Sequence, residues 1–164
     1  PVLAQKEVTA IRDALIKKYP EKKAVFEKNT VAYLEKLTAL DKEYQAAFAG
    51  AKNRTFVTQH AAFGYLAKQY GLTQEPIAGI SPDQEPSPSR LAELKKYIKT
   101  NNVSVIYFEA SASTKVAKTL ADETGVELAV LNPLESLTQK EQEAGENYVS
   151  VMKENLAALQ KSIH

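Results

Sequence analysis

One histidine and several carboxylates fall immediately after segments that are predicted to form β-strands. His60 follows the first of these segments, a loop from Ser81 to Pro86 follows the second, Glu109 follows the third, and a stretch from Asn132 to Glu135 follows the fourth. Ligands of open parallel sheets bind beyond the carboxyl ends of the strands. These side chains are therefore expected to face one edge of a sheet, where imidazole and carboxylate groups are suitable ligands for zinc or another divalent first-row metal.

Each of these residues also has a plain structural interpretation when it is taken singly. His60 can be interpreted as a helix cap or a surface residue, and Glu135 as a solvated loop residue. Glu109 can be interpreted as a carboxylate at the amino end of a helix, where the helix dipole favours negative charge. Their common position at one edge is what indicates a site. The other histidine, His164, is the last residue and is given no role.

The elements that must position these residues alternate between strand and helix after Gly50. Strands are predicted at Thr55–Thr58, Pro76–Ile80, Val103–Phe108 and Val126–Leu131. Helices are expected between them and after the last one. This alternation predicts an α/β fold with a four-stranded parallel sheet and helices on both faces.

Capping signals define several of the helices. A first helix is predicted at Ala61–Tyr70, and the next begins after Ser87, which is suited to cap it. Another helix is predicted at Thr114–Thr124. Thr138 and Glu141 have the spacing of a capping box, and they are expected to open one last helix that runs to the end of the chain.

The first 50 residues carry no strand signal and are predicted to be helical. A break is expected at Tyr19-Pro20, because the residue before a proline is disfavoured in helical geometry. Residues 21–48 are predicted to form one helix of roughly 42 Å, long enough to act as a strut between two bodies. Apolar residues before the break, such as Val8 and Ile11, are expected to be exposed, which predicts self-association through residues 1–50.

Composition limits the classes of function. The chain has 164 residues, 44% of them hydrophobic and 25% charged, which is ordinary for a globular domain. The 21 basic and 20 acidic residues leave a net charge of +1, so charge gives no argument for a nucleic-acid partner. The sequence contains no cysteine, which excludes disulfides, cysteine metal ligands and thiol catalysis.

Enzyme signatures are not found in the sequence. The six glycines are scattered, so there is no phosphate-binding loop, and no nucleophile-elbow motif occurs. Ser111 and Ser113 follow the third strand, but only His60 could serve them as a base, and no pattern links them. A small flavodoxin-like enzyme or receiver domain would need a phosphate loop or an acidic cluster after the first strand, where His60 stands. The protein is therefore not expected to be an enzyme.

Three motifs, in order, resemble the zinc-binding lipoproteins of metal ABC importers, which include ZnuA-like, AdcA-like and laminin-binding proteins of the cluster A-I solute-binding family. They read TFVTQHAAFGYLAKQYGL (residues 55–72), GISPDQEPSP (residues 79–88) and LAVLNPLESL (residues 128–137). The resemblance covers essentially the whole chain. It implies that residues 1–50 are the end of an amino-terminal lobe with a long linker helix, and that residues 51–164 are the carboxyl-terminal α/β lobe.

The resemblance also implies a ligand set. Members of this family clamp a metal ion between two lobes with four ligands, of which the third corresponds to His60 and the fourth to Glu135. Manganese-carrying members have glutamate at the third position, so His60 favours Zn²⁺. The family motif does not make Glu109 a direct ligand. This residue is expected either to contact a ligand without contacting the metal or to be structural.

The first two family ligands are histidines of the amino-terminal lobe, which this chain is expected to lack. The lipid-bearing cysteine is also missing. The resemblance implies an extracellular protein at the cell surface, anchored through a lipidated amino terminus absent from this chain, that delivers zinc to the membrane permease of an ABC importer. A surface adhesin of the laminin-binding type is the alternative function.

Overall fold

The computed structural model describes residues 1–81, 86–109 and 114–164. These residues form two compact units, Pro1–Ala47 and Phe48–His164. The boundary lies close to Gly50, where the sequence changes from purely helical patterns to alternating strands and helices. The interpretation of the first unit as the end of another lobe remains a prediction.

The first unit is helical. Helix α1 (Val2–Lys18) is followed by a short 3₁₀ turn (Pro20–Lys22) and by helix α2 (Lys23–Phe48). The predicted break is confirmed, because Tyr19 has φ −133° and ψ 69°, outside the helical region. No residue of α1 is buried, and Ile11 is 59% exposed. Self-association through this surface remains a prediction.

The second unit is an α/β fold with four strands. Its elements are β1 (Thr55–Thr58), α3 (Gly64–Tyr70), β2 (Thr73–Pro76), α4 (Pro88–Thr100), β3 (Val105–Phe108), α5 (Lys115–Thr124), β4 (Glu127–Val130), α6 (Gln139–Glu143) and α7 (Tyr148–Leu159). The strands are parallel and lie in the order β2-β1-β3-β4. The predicted four-stranded parallel sheet with flanking helices is confirmed.

Helices cover both faces of the sheet because successive strand side chains point to opposite sides. Val57 and Ile106 are paired across β1 and β3, and on one face they pack in a buried cluster with α4 and α5. On the other face, the ring of Phe56 contacts that of Tyr107 edge-on, and the Tyr107 hydroxyl donates to the Ala158 carbonyl of α7 at 2.8 Å. Because β1 and β3 are covered on both sides, their carboxyl ends are held in fixed positions.

The predicted position of the second strand, Pro76–Ile80, is wrong. Strand β2 lies earlier, at Thr73–Pro76, although two further bonds, from Ile77 N to the Thr58 carbonyl and from Ala78 N to the Gln59 carbonyl, continue its pairing with β1. The strand is at the edge of the sheet and is only partly buried, so its residues are polar and lack the apolar pattern that marks the central strands.

The last helix is not continuous as predicted. The capping box of Thr138 and Glu141 is present, but it opens only the short helix α6. The chain then turns through Gly145, whose φ of 79° is readily adopted only by glycine. A second capping box, of Asn147 and Ser150, opens α7.

Two other helices begin at or near their predicted positions. Ser87 caps α4 as predicted, with its side chain accepting a bond from the backbone N–H of Arg90. Helix α3 begins at Gly64 rather than Ala61, because the backbone N–H of Ala62 bonds to the His60 carbonyl in a turn. His60 therefore lies between strand and helix. In the described ranges, no helix is both long and apolar enough to cross a membrane.

Candidate metal centre

His60 is buried directly beyond the carboxyl end of β1, with only 2% of its surface exposed. Its carbonyl accepts a bond from the Thr58 hydroxyl at 2.8 Å and another from the Gln74 side-chain amide at 3.0 Å. The same amide also donates to the Thr58 hydroxyl at 2.7 Å. The edge strand β2 thus fixes the backbone of His60.

Glu109 follows β3 and lies against the imidazole of His60. Its Oε1 contacts His60 Nδ1, and both side chains are buried, 5% and 2% exposed. The backbone N–H of Glu109 donates to the side-chain oxygen of Gln59 at 3.4 Å. A carboxylate at Nδ1 holds the proton on that nitrogen, which leaves the lone pair of Nε2 to bind a metal ion.

Glu135 approaches His60 from the opposite side of the ring. Its Oε1 lies 3.5 Å from His60 Nε2, and its side chain is 65% exposed. Zinc bonds of about 2 Å place neighbouring donor atoms roughly 3–3.5 Å apart, so the two atoms are spaced as ligands of one ion. The structure therefore brings together all three residues singled out in the sequence, with Glu109 on Nδ1 and Glu135 on Nε2.

The loop that carries Glu135 is held by paired amide groups. Asn155 of α7 accepts a bond from the backbone N–H of Asn132 at 2.8 Å and donates to the Asn132 carbonyl at 2.7 Å. The Asn132 side chain in turn accepts a bond from the backbone N–H of Leu134 at 2.8 Å. Leu134 has φ 64°, an uncommon conformation for a residue with a side chain.

Helix α6 adds a charged group to the same loop. The backbone N–H and the side-chain hydroxyl of Thr138 both donate hydrogen bonds to Glu141. Both bonds lower the pKa of the Glu141 carboxyl, and the backbone bond has the larger effect. The other oxygen of this carboxylate lies 3.4 Å from the side-chain amide of Asn132. Glu141 therefore remains a charged acceptor that faces the Asn132 end of the loop.

The three residues do not complete a metal cage. Across residues 1–81, 86–109 and 114–164, no group of three or more histidine, cysteine, aspartate or glutamate side chains is arranged to hold a metal ion. His60 and Glu135 can act as two ligands of a divalent cation. The carboxylates Asp83 and Glu85, and Ser111 and Ser113, lie outside the described residues.

The residues that support the two ligands are not apparent from the sequence. Gln74 gave no signal because its partners depend on the position of β2. Asn155 did give a signal in the sequence, because it is a single amide among the apolar residues on the buried side of α7. In the structure it is only 3% exposed. A buried amide requires partners, but the sequence does not say where they are.

The described part of the chain is a parallel α/β unit that presents an imidazole and a carboxylate at one edge of its sheet, where such folds bind their ligands. It resembles the lobes of metal-binding proteins. The model of one such family, described as "Zinc-uptake complex component A periplasmic", matches residues 1–162. The chain belongs to this family, which confirms the resemblance. The family description concerns uptake and names no reaction.

Two curated relatives share more than half of their residues with this chain where they align. The zinc-binding lipoprotein AdcA of Streptococcus pneumoniae is 57% identical over 162 residues, which are 99% of this chain and 32% of the relative. The high-affinity zinc uptake system protein ZnuA of Bacillus subtilis is 55% identical over 163 residues, which are 99% of this chain and 51% of the relative. The chain thus spans about a third of the first relative and about half of the second.

Solved structures show the same fold. The Zn(II)-bound ZnuA-like domain of Streptococcus pneumoniae AdcA is 56% identical, with a TM-score of 0.86 over 99% of this chain and 61% of that one. The laminin-binding protein Lbp of Streptococcus pyogenes is 37% identical, with a TM-score of 0.91 over 100% of this chain and 63% of that one. In each case, more than a third of the solved chain has no counterpart here.

Proposed function

We propose that this chain is the carboxyl-terminal lobe of the zinc-binding component of an ABC importer and carries half of its zinc site. The observation that supports this most strongly is the 3.5 Å separation between His60 Nε2 and Glu135 Oε1, with Glu109 on the other ring nitrogen. Two relatives that cover nearly all of this chain are named for zinc binding or zinc uptake.

In this proposal, His60 and Glu135 bind zinc directly, and Glu109 orients His60. Imidazole is a good zinc ligand, and a carboxylate on its other nitrogen is the usual arrangement behind a metal-bound histidine. Zinc is the cargo, so the site must both capture and release it. Glu135 is exposed, so zinc can reach it from solvent, whereas the buried His60 is a donor in a fixed position.

A second lobe supplies the remaining ligands in this proposal. Two protein ligands leave the other positions of a tetrahedral ion to water, whereas zinc sites in proteins normally have three or four protein ligands. The amino-terminal lobe closes over the ion, and residues 1–50 connect the two lobes. This assignment is consistent with the 61% coverage of the solved ZnuA-like domain.

The loaded protein then docks on the membrane permease of the importer and releases zinc to it. The complete protein is placed outside the cell and anchored by a lipidated amino terminus, as the lipoprotein name of the AdcA relative suggests. The adhesin alternative has less support, because it depends on the name of laminin-binding structural neighbours such as Lbp and on no contact or charge in this chain.

Calorimetric titration of zinc tests the proposal. The 164-residue chain should bind weakly, and a complete two-lobe protein should bind tighter by orders of magnitude. In the two-lobe protein, His60→Ala and Glu135→Ala should weaken binding strongly. His164→Ala and Glu143→Ala are matched controls that remove the same groups elsewhere and should change nothing. Tight binding by the 164-residue chain as a monomer would contradict the proposed half-site.

A further inference from the structure

We infer that Asn155 is a positioning residue for Glu135, and that it sets the zinc affinity of the site by holding the loop from Asn132 to Leu134. The inference rests on the proposed function, since it assumes that Glu135 binds zinc. It assigns a role in zinc binding to a residue of helix α7 that is separated from the ion by more than one contact.

Asn155 uses both ends of its side-chain amide on the backbone of a single residue. Its Oδ1 accepts from Asn132 N at 2.8 Å, and its Nδ2 donates to Asn132 O at 2.7 Å. Its neighbours on the buried side of α7 include Val151, Met152 and Leu156. An amide at such a position would be costly without partners, so the pair with Asn132 fixes where this loop meets the helix.

The next contacts lead from Asn132 to the proposed ligand. The Asn132 side chain accepts from Leu134 N at 2.8 Å, and Leu134 has φ 64°. A left-handed conformation is unfavourable for a leucine and persists only where the surroundings hold it. Glu135 is the next residue, so the direction in which its side chain leaves the backbone depends on this held conformation.

The two proposed ligands therefore differ in how they are fixed. His60 is buried and is held at its carbonyl by Thr58 and Gln74 and at its ring by Glu109. The side chain of Glu135 is 65% exposed, and its described contact is with the His60 ring. The loop backbone is what brings Glu135 to the ion. If that backbone is loosened, the Glu135 carboxylate should dissociate from the zinc ion more rapidly.

An alternative role for Asn155 is purely structural: it would satisfy the loop backbone and stabilise the fold without influencing zinc. The two roles differ in one measurable respect. A positioning residue acts through Glu135, so its effect on zinc should disappear once Glu135 has lost its charge. A structural residue should have the same effect on zinc, or none, whether or not Glu135 is intact.

The test measures zinc affinity and the rate of zinc loss to a chelator in the complete two-lobe protein. Asn155→Leu removes both bonds and keeps the branched shape of the side chain, although leucine is larger, and Asn155→Ser is a milder variant if the leucine protein does not fold. We expect weaker binding, seen mainly as faster release of zinc. The loss should not exceed about 10–100-fold, the cost of losing a group bonded directly to a metal ligand, because Asn155 acts through the backbone of Asn132. Ser162→Ala is the matched control, because Ser162 is equally buried but bonds to Tyr107.

Each outcome decides between the roles. In a Glu135→Gln background, Asn155→Leu should cause no further loss of zinc affinity. An equal loss in both backgrounds, an equal loss in Ser162→Ala, or unchanged affinity in both Asn155 variants would overturn the inference. If Glu135→Gln itself binds zinc normally, the proposed ligand set is wrong, which is a separate failure.

Discussion

Replacing Glu109 with glutamine should weaken zinc binding by the two-lobe protein without removing a metal ligand. Glu109 Oε1 lies against His60 Nδ1, with only 5% and 2% of the two side chains exposed. Glutamine keeps an acceptor oxygen but loses the charge, and charge-assisted hydrogen bonds are roughly twice as strong as neutral ones. Losing a partner of this kind costs about 10–100-fold in affinity, or about 1.4–2.7 kcal/mol.

A graded series separates orientation from direct binding. Glu109→Gln should fall near the lower end of that range, because the acceptor remains. Glu109→Ala should fall near the upper end, because a buried N–H of His60 is then left without its carboxylate. His60→Ala should lose more than either variant, since it removes the nitrogen donor itself.

Competition with a chromophoric zinc chelator at constant pH and ionic strength measures the series. Glu75→Gln is the matched control, because it removes the same charge from a partly buried pair with Arg90 that contacts neither proposed ligand. The reasoning is refuted if Glu109→Ala binds zinc as tightly as the unmodified protein while His60→Ala has lost binding, or if Glu75→Gln loses as much as Glu109→Gln.

Three further predictions concern the fold. Burial raises the pKa of Tyr107 to about 12, above its unfolded value near 10, so its contribution to stability is complete below about pH 10 and is lost from there to about pH 12. Ultraviolet titration should show a late-ionising tyrosine that is missing in Tyr107→Phe. Gly71 ends α3 with φ 63°, so Gly71→Ala should cost about 1–2 kcal/mol in urea unfolding, whereas Gly64→Ala, with open space around its Cβ, should not destabilise. Leu94→Ala, at a fully buried position of α4, should lower the free energy of unfolding by about 2–5 kcal/mol.

Much of the fold could be predicted from sequence because the central strands are apolar. Phe56 and Val57 lie in a buried strand between polar turns, and so do Val105 and Ile106, which makes β1 and β3 visible as short apolar runs. Strand β2 could not be placed correctly, because its Thr73 and Gln74 lie at an edge of the sheet and need no apolar pattern. The sequence predicts the last helix as one element, because the capping box of Thr138 and Glu141 is visible in it whereas the turn at Gly145 is not.

The same contrast holds for the candidate site. His60, Glu109 and Glu135 could be singled out because each follows a strand, and parallel strands bring their carboxyl ends to one edge. The distances between them could not be predicted, because they depend on loop conformations such as the positive φ of Leu134. The role of Asn155 could not be predicted either, since its partner lies 23 positions away in the sequence.

Anomalous diffraction at the zinc absorption edge from crystals of the zinc-loaded two-lobe protein tests the central claim most directly. The account predicts one strong peak about 2.0–2.2 Å from both His60 Nε2 and a carboxylate oxygen of Glu135, with His60 Nδ1 still on Glu109 and the remaining ligands supplied by the other lobe. A zinc ion bound elsewhere, or one that contacts Glu109 and leaves Glu135 in solvent, would contradict it.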